Sequence, residues 1–189
     1  MYKAFLIKYS EIGLKGKNKY LFENALIEQI KKALKDLGEF NVSKAQGRVY
    51  IECPDVYDYD DAVEALKSVF GIAWICPVKI LDSIDFDVIK QSVGEYIDKR
   101  YTDKDFTFKV GAKREDKRYH LTSPEICARL GGYLLELYPE MKVDVHKPEL
   151  LIMVEVRDKT YIYSENIKGL GGMPVGSNGK AMLLLSGGI

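Results

Sequence analysis

The chain has 189 residues, of which 47% are hydrophobic, and it carries 28 basic and 28 acidic residues. That length is enough for two small domains, each with a buried core. A net charge of zero excludes a general attraction to nucleic acid or to anionic membrane, so such a partner must be met by a local patch. The apolar runs are too short for a signal peptide or a membrane span, and we expect a cytoplasmic protein with no membrane partner.

The cysteines and histidines do not have the close spacing of a metal site. Cys53, Cys76 and Cys127 lie far apart, and the two histidines, His120 and His146, adjoin none of them. Zinc and iron-sulfur sites need clustered ligands, so we expect no metal. An odd number of scattered cysteines suits reduced, mostly buried thiols.

Residues 1 to 81 alternate between strand and helix patterns. The expected elements are a strand up to Tyr9, a helix from about Asn18 to Gly38, a hairpin over 42–53 with its turn at 46–48, a helix over 59–68 and a strand over 73–81. This order predicts a ferredoxin-like domain, an antiparallel sheet with both helices on one face. The single tryptophan, Trp74, is expected to pack in a core or between domains.

A second α/β unit of different order begins near residue 85. Its expected elements are a helix over 85–100, a strand over 106–111, a helix over 123–137, a strand over 143–146 and a hairpin of 150–156 with 160–164. The expected fold class is therefore α+β, with a ferredoxin-like domain followed by a second α/β domain.

The composition changes after Ser164. Residues 166–181 are rich in glycine and predict a linker. The apolar run 181–185 is typical of a parallel strand, and Ser186-Gly187-Gly188 follows it. Small residues after a strand leave backbone N–H groups open to phosphate, as in the pyrophosphatase-type ATP loop, although such triplets are common. We expect a further carboxy-terminal domain, of which only the first strand is present.

The most basic segment runs from Lys109 to His120, with five basic residues against two acids, and Arg129 follows on the next helix. Lysine and arginine after a strand suit RNA phosphates, and Tyr119 or His120 suits stacking on an unpaired base. The alternative is a solvated loop in which Glu115 and Asp116 pair with their basic neighbours.

Lys15 and Lys17 flank Gly16 and form a smaller basic segment ahead of a helix. Glycine keeps the backbone accessible there, so contact with a phosphate is one interpretation. A flexible, solvated turn is the other.

Read together in chain order, these residues resemble the tRNA 4-thiouridine synthetase family, also called thiamine biosynthesis protein ThiI. The resemblance rests on Tyr-Ser-Glu-Ile-Gly-Leu-Lys-Gly-Lys-Asn at 9–18, the basic segment at 109–117, Ser-Pro-Glu-Ile and Gly-Gly-Tyr-Leu at 123–134, Val-Asp-Val-His at 143–146, the glycine-rich stretch at 169–176 and the Ser-Gly-Gly triplet.

The resemblance implies the function of each segment. Residues 1–76 would be the ferredoxin-like domain and residues 77–165 a THUMP domain, for which an alternative boundary lies near residue 60. Residues 166–181 would be the linker, and residues 182–189 the start of a PP-loop ATP-binding domain. In this family the THUMP domain binds the tRNA acceptor end, ATP activates a uridine, and a cysteine desulfurase supplies sulfur, also for thiamine synthesis. A homodimer is expected on the same ground.

The resemblance also implies site residues. The THUMP loop gives Lys113, Arg114 and Lys117 for RNA, and the basic segments add Arg118, Lys109, Arg129, Lys15 and Lys17. The front edge of the ATP pocket is expected at Leu183, Leu184, Leu185, Ser186, Gly187 and Gly188. No catalytic residue is expected, so this chain would hold tRNA without catalysis. One departure is Gly111, where the family pattern leads us to expect an arginine.

Two other functions stay open at this point. The ferredoxin-like half is also typical of regulatory or scaffolding modules that act by protein association. A THUMP domain also occurs with methyltransferases or deaminases, although Ser186-Gly187-Gly188 argues against such a partner here.

Overall fold

The computed structural model describes residues 2–45, 48–177, 179 and 182. The expected turn residues Gln46 and Gly47, and positions 183–188 of the expected ATP loop, lie outside this range. The chain divides into a first unit, residues 6–75 with 167–189, and a second unit, residues 1–5 with 76–166. Within the described residues, no helix combines the length and apolar character needed to span a membrane.

The first unit has the element order expected of a ferredoxin-like domain. Its elements are the greater part of β1 (Ala4–Lys8), two short 3-10 helices (Glu11–Leu14 and Gly16–Asn18), α1 (Lys19–Leu34), β2 (Asn41–Ala45), β3 (Arg48–Glu52), α2 (Tyr59–Lys67) and the start of β4 (Trp74–Leu81). The strands are ordered β2-β3-β1-β4. Helix α1 buries Leu26, Ile30 and Leu34, which recur every four residues along one face.

The second unit contains a mixed sheet. Its elements are the rest of β4, α3 (Phe86–Arg100), β5 (Thr107–Arg114), α4 (Ser123–Leu137), β6 (Lys142–Val143), β7 (Leu150–Val156) and β8 (Thr160–Tyr163). The strands are ordered β4-β8-β7-β5-β6. Strand β5 is parallel to β6 and β7, whereas β8 is antiparallel to β7 and β4. The predicted α+β class is confirmed.

Helices α3 and α4 share one core with the sheet of the second unit. Phe108 and Val110 of β5 lie in that core with Ile152 and Val154 of β7. Successive side chains of a strand point to opposite faces. The odd-numbered residues of β5, which include Lys109 and Lys113, therefore lie on the face away from the helices.

The glycine-rich stretch is more ordered than a free linker. Strand β9 (Ile167–Lys168) pairs with Ile75 and Trp74 of β4 in the first unit. The Gly169 N–H then donates to the Ala73 carbonyl at 3.0 Å. A β-carbon on Gly169 would lie 2.3 Å from the Ile72 carbonyl oxygen, so this close approach requires glycine.

Other local expectations were wrong. Strand β5 continues to Arg114 rather than ending at Gly111, because it pairs with β7 along its whole length. Strand β6 is only two residues long, since its pairing with β5 ends at Val143. Trp74 is 41% exposed and does not belong to a core, whereas its packing between the domains stays a prediction.

Candidate nucleic-acid interface

The loop that follows β5 is shaped by the guanidinium of Arg114. Its Nη1 donates to the carbonyl oxygen of Lys117 at 2.7 Å and to that of Tyr119 at 3.2 Å. The Glu115 N–H also donates to the Val156 carbonyl at 2.9 Å. These bonds hold both ends of the loop, so Arg114 fixes the conformation of the loop, and its contact with RNA stays a prediction.

Arg118 is locked to Asp116 at the tip of the loop. Its Nη2 donates to Asp116 Oδ2 at 2.7 Å, and its Nε lies 3.1 and 3.0 Å from the two carboxylate oxygens. The Arg118 guanidinium holds the pKa of Asp116 at about 2, so the pair is intact at neutral pH. The Arg118 side chain nevertheless stays 90% exposed and open to a further partner.

The alternative that acids of the loop pair with their basic neighbours is thus realised for Asp116 and Arg118. The ammonium of Lys117 is exposed and has no partner among the described residues. Lys113 is exposed and lies opposite Glu155 in the register of β5 and β7. Lys113, Lys117 and Arg118 therefore present positive charge to solvent.

Helix α4 begins next to this loop with a capping box. The Thr122 hydroxyl accepts from the Glu125 N–H, and the Glu125 carboxylate accepts from the Thr122 N–H at 2.7 Å. The Thr122 hydroxyl also donates to this carboxylate at 2.6 Å, and this bond with that of the Thr122 N–H lowers the pKa of Glu125, with smaller contributions from Arg129 and Arg114. The charges of Arg114 and Arg129, which lie on different elements, therefore both act on the Glu125 carboxylate.

The two remaining basic residues of the segment are partly engaged. Lys109 Nζ donates to the Val145 carbonyl at 3.0 Å. The exposed Arg129 guanidinium lies 5.9 Å from the centre of the Phe86 ring. The Lys109 ammonium is thus engaged by a carbonyl, and the Arg129 guanidinium lies beside an aromatic ring. Both residues extend the basic surface rather than form its centre.

An aromatic pair lies beside the loop. The ring centres of Tyr119 and His120 are 4.5 Å apart, and the Tyr119 hydroxyl donates to the Ile84 carbonyl at 2.7 Å, which fixes that ring. His120 is exposed, and its imidazole has no hydrogen-bond partner among the described residues. A groove of about 780 Å³ adjoins the pair, with Arg118 and Arg157 also in its wall.

Lys15 and Lys17 belong to the first unit and lie around a 3-10 helix, not a simple turn. Gly16 has a φ of 53°, a conformation that favours glycine. Lys15 Nζ lies 5.1 Å from the centre of the Phe22 ring, and Lys17 is exposed. The assignment of both to RNA stays a prediction.

The departure at Gly111 has a structural counterpart. A β-carbon at this position would lie 2.5 Å from Sδ of Met153 on the neighbouring strand. An arginine at 111 would require the flexible Met153 side chain to move, so in this chain methionine fills that part of the sheet face. Among the described residues no group of three or more His, Cys, Asp or Glu is placed to hold a metal ion.

Sequence reasoning missed the residues that shape the site. Nothing local in the sequence shows that Arg114 binds backbone carbonyls, because those contacts depend on how the loop turns. It also missed a carboxylate in the first unit, Glu23, which accepts from the Tyr9 hydroxyl and pairs with Lys19 and Lys44 at 3.4 and 3.2 Å. The other three residues are half-buried or exposed and surround the buried Glu23 carboxylate, so this polar cluster is of structural character.

Comparison with known families matches both units to described domains. Residues 4–76 match the ThiI ferredoxin-like domain, and residues 83–165 match the THUMP domain. A probable tRNA sulfurtransferase of Lachnoclostridium phytofermentans is 61% identical over all 189 residues, which make up 48% of that protein. Its counterpart in Acetivibrio thermocellus is 48% identical, with 48% of its length covered. The chain thus spans about half the length of the curated relatives it matches.

Two solved structures share the fold. One is a 4-thiouridine synthetase in complex with RNA and bound ATP, which matches 100% of this chain with a TM-score of 0.77 and 36% identity. The match covers 47% of the synthetase chain. PH1313 from Pyrococcus horikoshii matches 94% of the chain, with 58% of its own length covered, a TM-score of 0.78 and 29% identity. The two domain matches together account for most of the chain and follow the expected order, so the chain consists largely of a ThiI ferredoxin-like domain followed by a THUMP domain.

Proposed function

We propose that this chain is the tRNA-holding part of a tRNA sulfurtransferase that makes 4-thiouridine. The observation that carries the proposal is the loop at 113–118, in which Arg114 fixes the backbone while Lys117 and Arg118 stay exposed. Preorganised cations of this kind neutralise phosphates without first having to be ordered. The match to a THUMP domain and the likeness to a synthetase solved with RNA support the same conclusion.

The RNA feature proposed is the acceptor end of tRNA. Lys117 and Arg118 would contact phosphates, Lys113, Lys109 and Arg129 would extend the contact, and Tyr119 with His120 would stack on an unpaired base. Lys15 and Lys17 are proposed as a second contact from the first unit. Bases stack well on exposed rings, and acceptor ends are single-stranded, so the aromatic pair beside the basic loop suits this target.

The ATP-dependent step is assigned to the part of the relatives that this chain does not match. A uridine would be adenylated there, with sulfur from a cysteine desulfurase, and the same sulfur would serve thiamine synthesis. The ATP bound to the related synthetase supports ATP as the cofactor of the whole protein. We propose that residues 182–189 begin that domain, that the 189 residues alone bind tRNA without turnover, and that the whole protein is a homodimer.

Asp116→Asn tests whether Arg118 takes part in binding. The substitution removes a negative charge beside the proposed phosphate contacts and releases the Arg118 guanidinium. The affinity for tRNA should therefore rise about threefold or more, and the slope of log affinity against log salt concentration should steepen by about one, the value of one added phosphate contact. Filter binding over a series of salt concentrations measures both quantities. Asp158→Asn, in the turn between β7 and β8, is the matched control for loss of one exposed carboxylate. Weaker binding by Asp116→Asn would show that the Arg118–Asp116 pair serves only to shape the loop.

A further inference from the structure

A second cavity, separate from the basic loop, lies wholly within the second unit. Its volume is about 970 Å³, within the range of small-molecule sites in proteins. Residues before β1, the carboxyl end of α3, and the ends of β7 and β8 contribute to its wall. None of them belongs to the loop at 113–118.

Three hydroxyl groups meet in the wall of this cavity. The hydroxyls of Tyr96 and Tyr101 each lie 2.9 Å from Ser164 Oγ, and the Ser164 N–H donates to the Tyr96 hydroxyl at 3.1 Å. Tyr96 and Ser164 are both at least nine-tenths buried. Burial raises the pKa of Tyr96 to about 12, so this hydroxyl keeps its proton at neutral pH.

A count of hydrogens shows that the cluster has a donor to spare. Three hydroxyls carry three hydrogens, and the two O···O contacts use only two of them. The third hydrogen has no acceptor among the described residues. An unmade hydrogen bond in a buried place is costly, so this wall favours a ligand or water that accepts one.

The charges around the cavity favour an anionic acceptor. Four basic residues and two carboxylates line it: Lys3, Lys79, Lys99, Arg100, Glu149 and Glu165. Both carboxylates are already engaged, since Glu165 pairs with Arg100 and Glu149 accepts from the Thr107 N–H at 2.7 Å. Lys79 is also engaged, with Glu95 at 3.1 Å.

Lys99 differs from these residues. Its ammonium is exposed and has no partner among the described residues. The cavity therefore combines the unpaired ammonium of Lys99 with a spare hydroxyl hydrogen of the cluster, which together suit the oxygens of a phosphate group.

The rest of the wall suits a flat ring. The Tyr2 ring lies under the Arg100 guanidinium at 5.3 Å, and Ile80 and Leu150 add apolar surface. We propose that this cavity binds a nucleoside phosphate, with its phosphate at Lys99 and the hydroxyl cluster and its base near Tyr2. The ligand has two sources, a free nucleotide or an unpaired nucleotide of the bound RNA, and only the second rests on the function proposed above.

Amide NMR signals of Lys99, Tyr101 and Ser164 in the 189-residue chain distinguish these sources. Four probes are compared: adenosine monophosphate, adenosine, an RNA duplex with one unpaired terminal nucleotide, and the same duplex without it. Shifts with adenosine monophosphate at up to about 10 mM, much weaker with adenosine, identify a free nucleotide. Shifts only with the overhanging duplex identify the RNA. No shift with any probe, or equal shifts with adenosine, would overturn the proposal.

Two variants assign the contacts. Lys99→Glu and Ser164→Ala are each expected to weaken binding of the active probe about tenfold, the effect of losing one hydrogen bond to a charged group. Lys90→Glu, on the same helix but outside the cavity wall, is the control and should bind normally. The double variant Lys117→Glu/Arg118→Glu should keep its response to adenosine monophosphate even if it loses tRNA, so the two proposals fail separately.

Discussion

Lys117→Glu combined with Arg118→Glu is expected to lower tRNA affinity about 100-fold at low salt. The double change reverses two exposed charges at the centre of the basic loop and places carboxylates against RNA phosphates. The slope of log affinity against log salt should also fall by about two, one for each lost contact. Filter binding of labelled tRNA between low and physiological salt measures both effects.

The control for this experiment is Lys32→Glu combined with Lys35→Glu. Both lysines are exposed near the end of α1, and the double variant undergoes the same change in net charge. Its affinity for tRNA should stay within about threefold of that of the unmutated chain. Neither lysine is a proposed RNA contact, and salt screens the effect of exposed charges that do not touch the RNA. Equal losses in the two double variants would mean that net charge, rather than the loop, governs binding.

Glu155→Ala should have the largest effect on stability. This carboxylate is 1% exposed, its Oε1 accepts from the Tyr163 hydroxyl at 2.7 Å, and its Oε2 accepts from Arg157 Nη2 at 3.0 Å. The Arg157 side chain is itself only 10% exposed, so removal of the carboxylate leaves a buried guanidinium without this partner. We expect a loss of about 3–5 kcal/mol in the free energy of unfolding.

Urea unfolding followed by circular dichroism measures this loss. Glu136→Ala, on the exposed side of α4, is the control and should change stability by less than about 0.5 kcal/mol. Because Glu155 lies opposite Lys113, its loss should also disturb the strand that carries the basic loop. A Glu155→Ala variant as stable as the control would show that the buried ion pair contributes nothing net.

Local pattern was sufficient for most of the fold. The helix predicted over 123–137 has these bounds in the structure, and its buried residues Ile126, Leu130 and Leu134 recur every four residues along one face. The basic segment was equally visible, since five cations in twelve residues need no structure to be noticed.

Contacts between residues far apart in the chain account for the features that the local sequence pattern did not predict. Strand β9 forms because Ile167 meets Ile75 across more than ninety residues, and glycine content alone indicates only a linker. Tyr96 and Ser164 are separated by 68 positions, so their hydroxyl cluster has no local signature. The contacts of Arg114 with the carbonyls of Lys117 and Tyr119 depend on how the loop turns, so the sequence indicates only the positive charge of this residue and not its role in the loop.

We propose above that the second unit binds the acceptor end of tRNA through its basic loop. Equilibrium binding of the 189-residue chain to an acceptor-stem minihelix, compared with an anticodon stem-loop of equal length, tests it most directly. We predict at least about tenfold tighter binding to the minihelix, with affinity that falls as salt rises. Equal affinity for the two RNAs, or no binding to either at low salt, would contradict it.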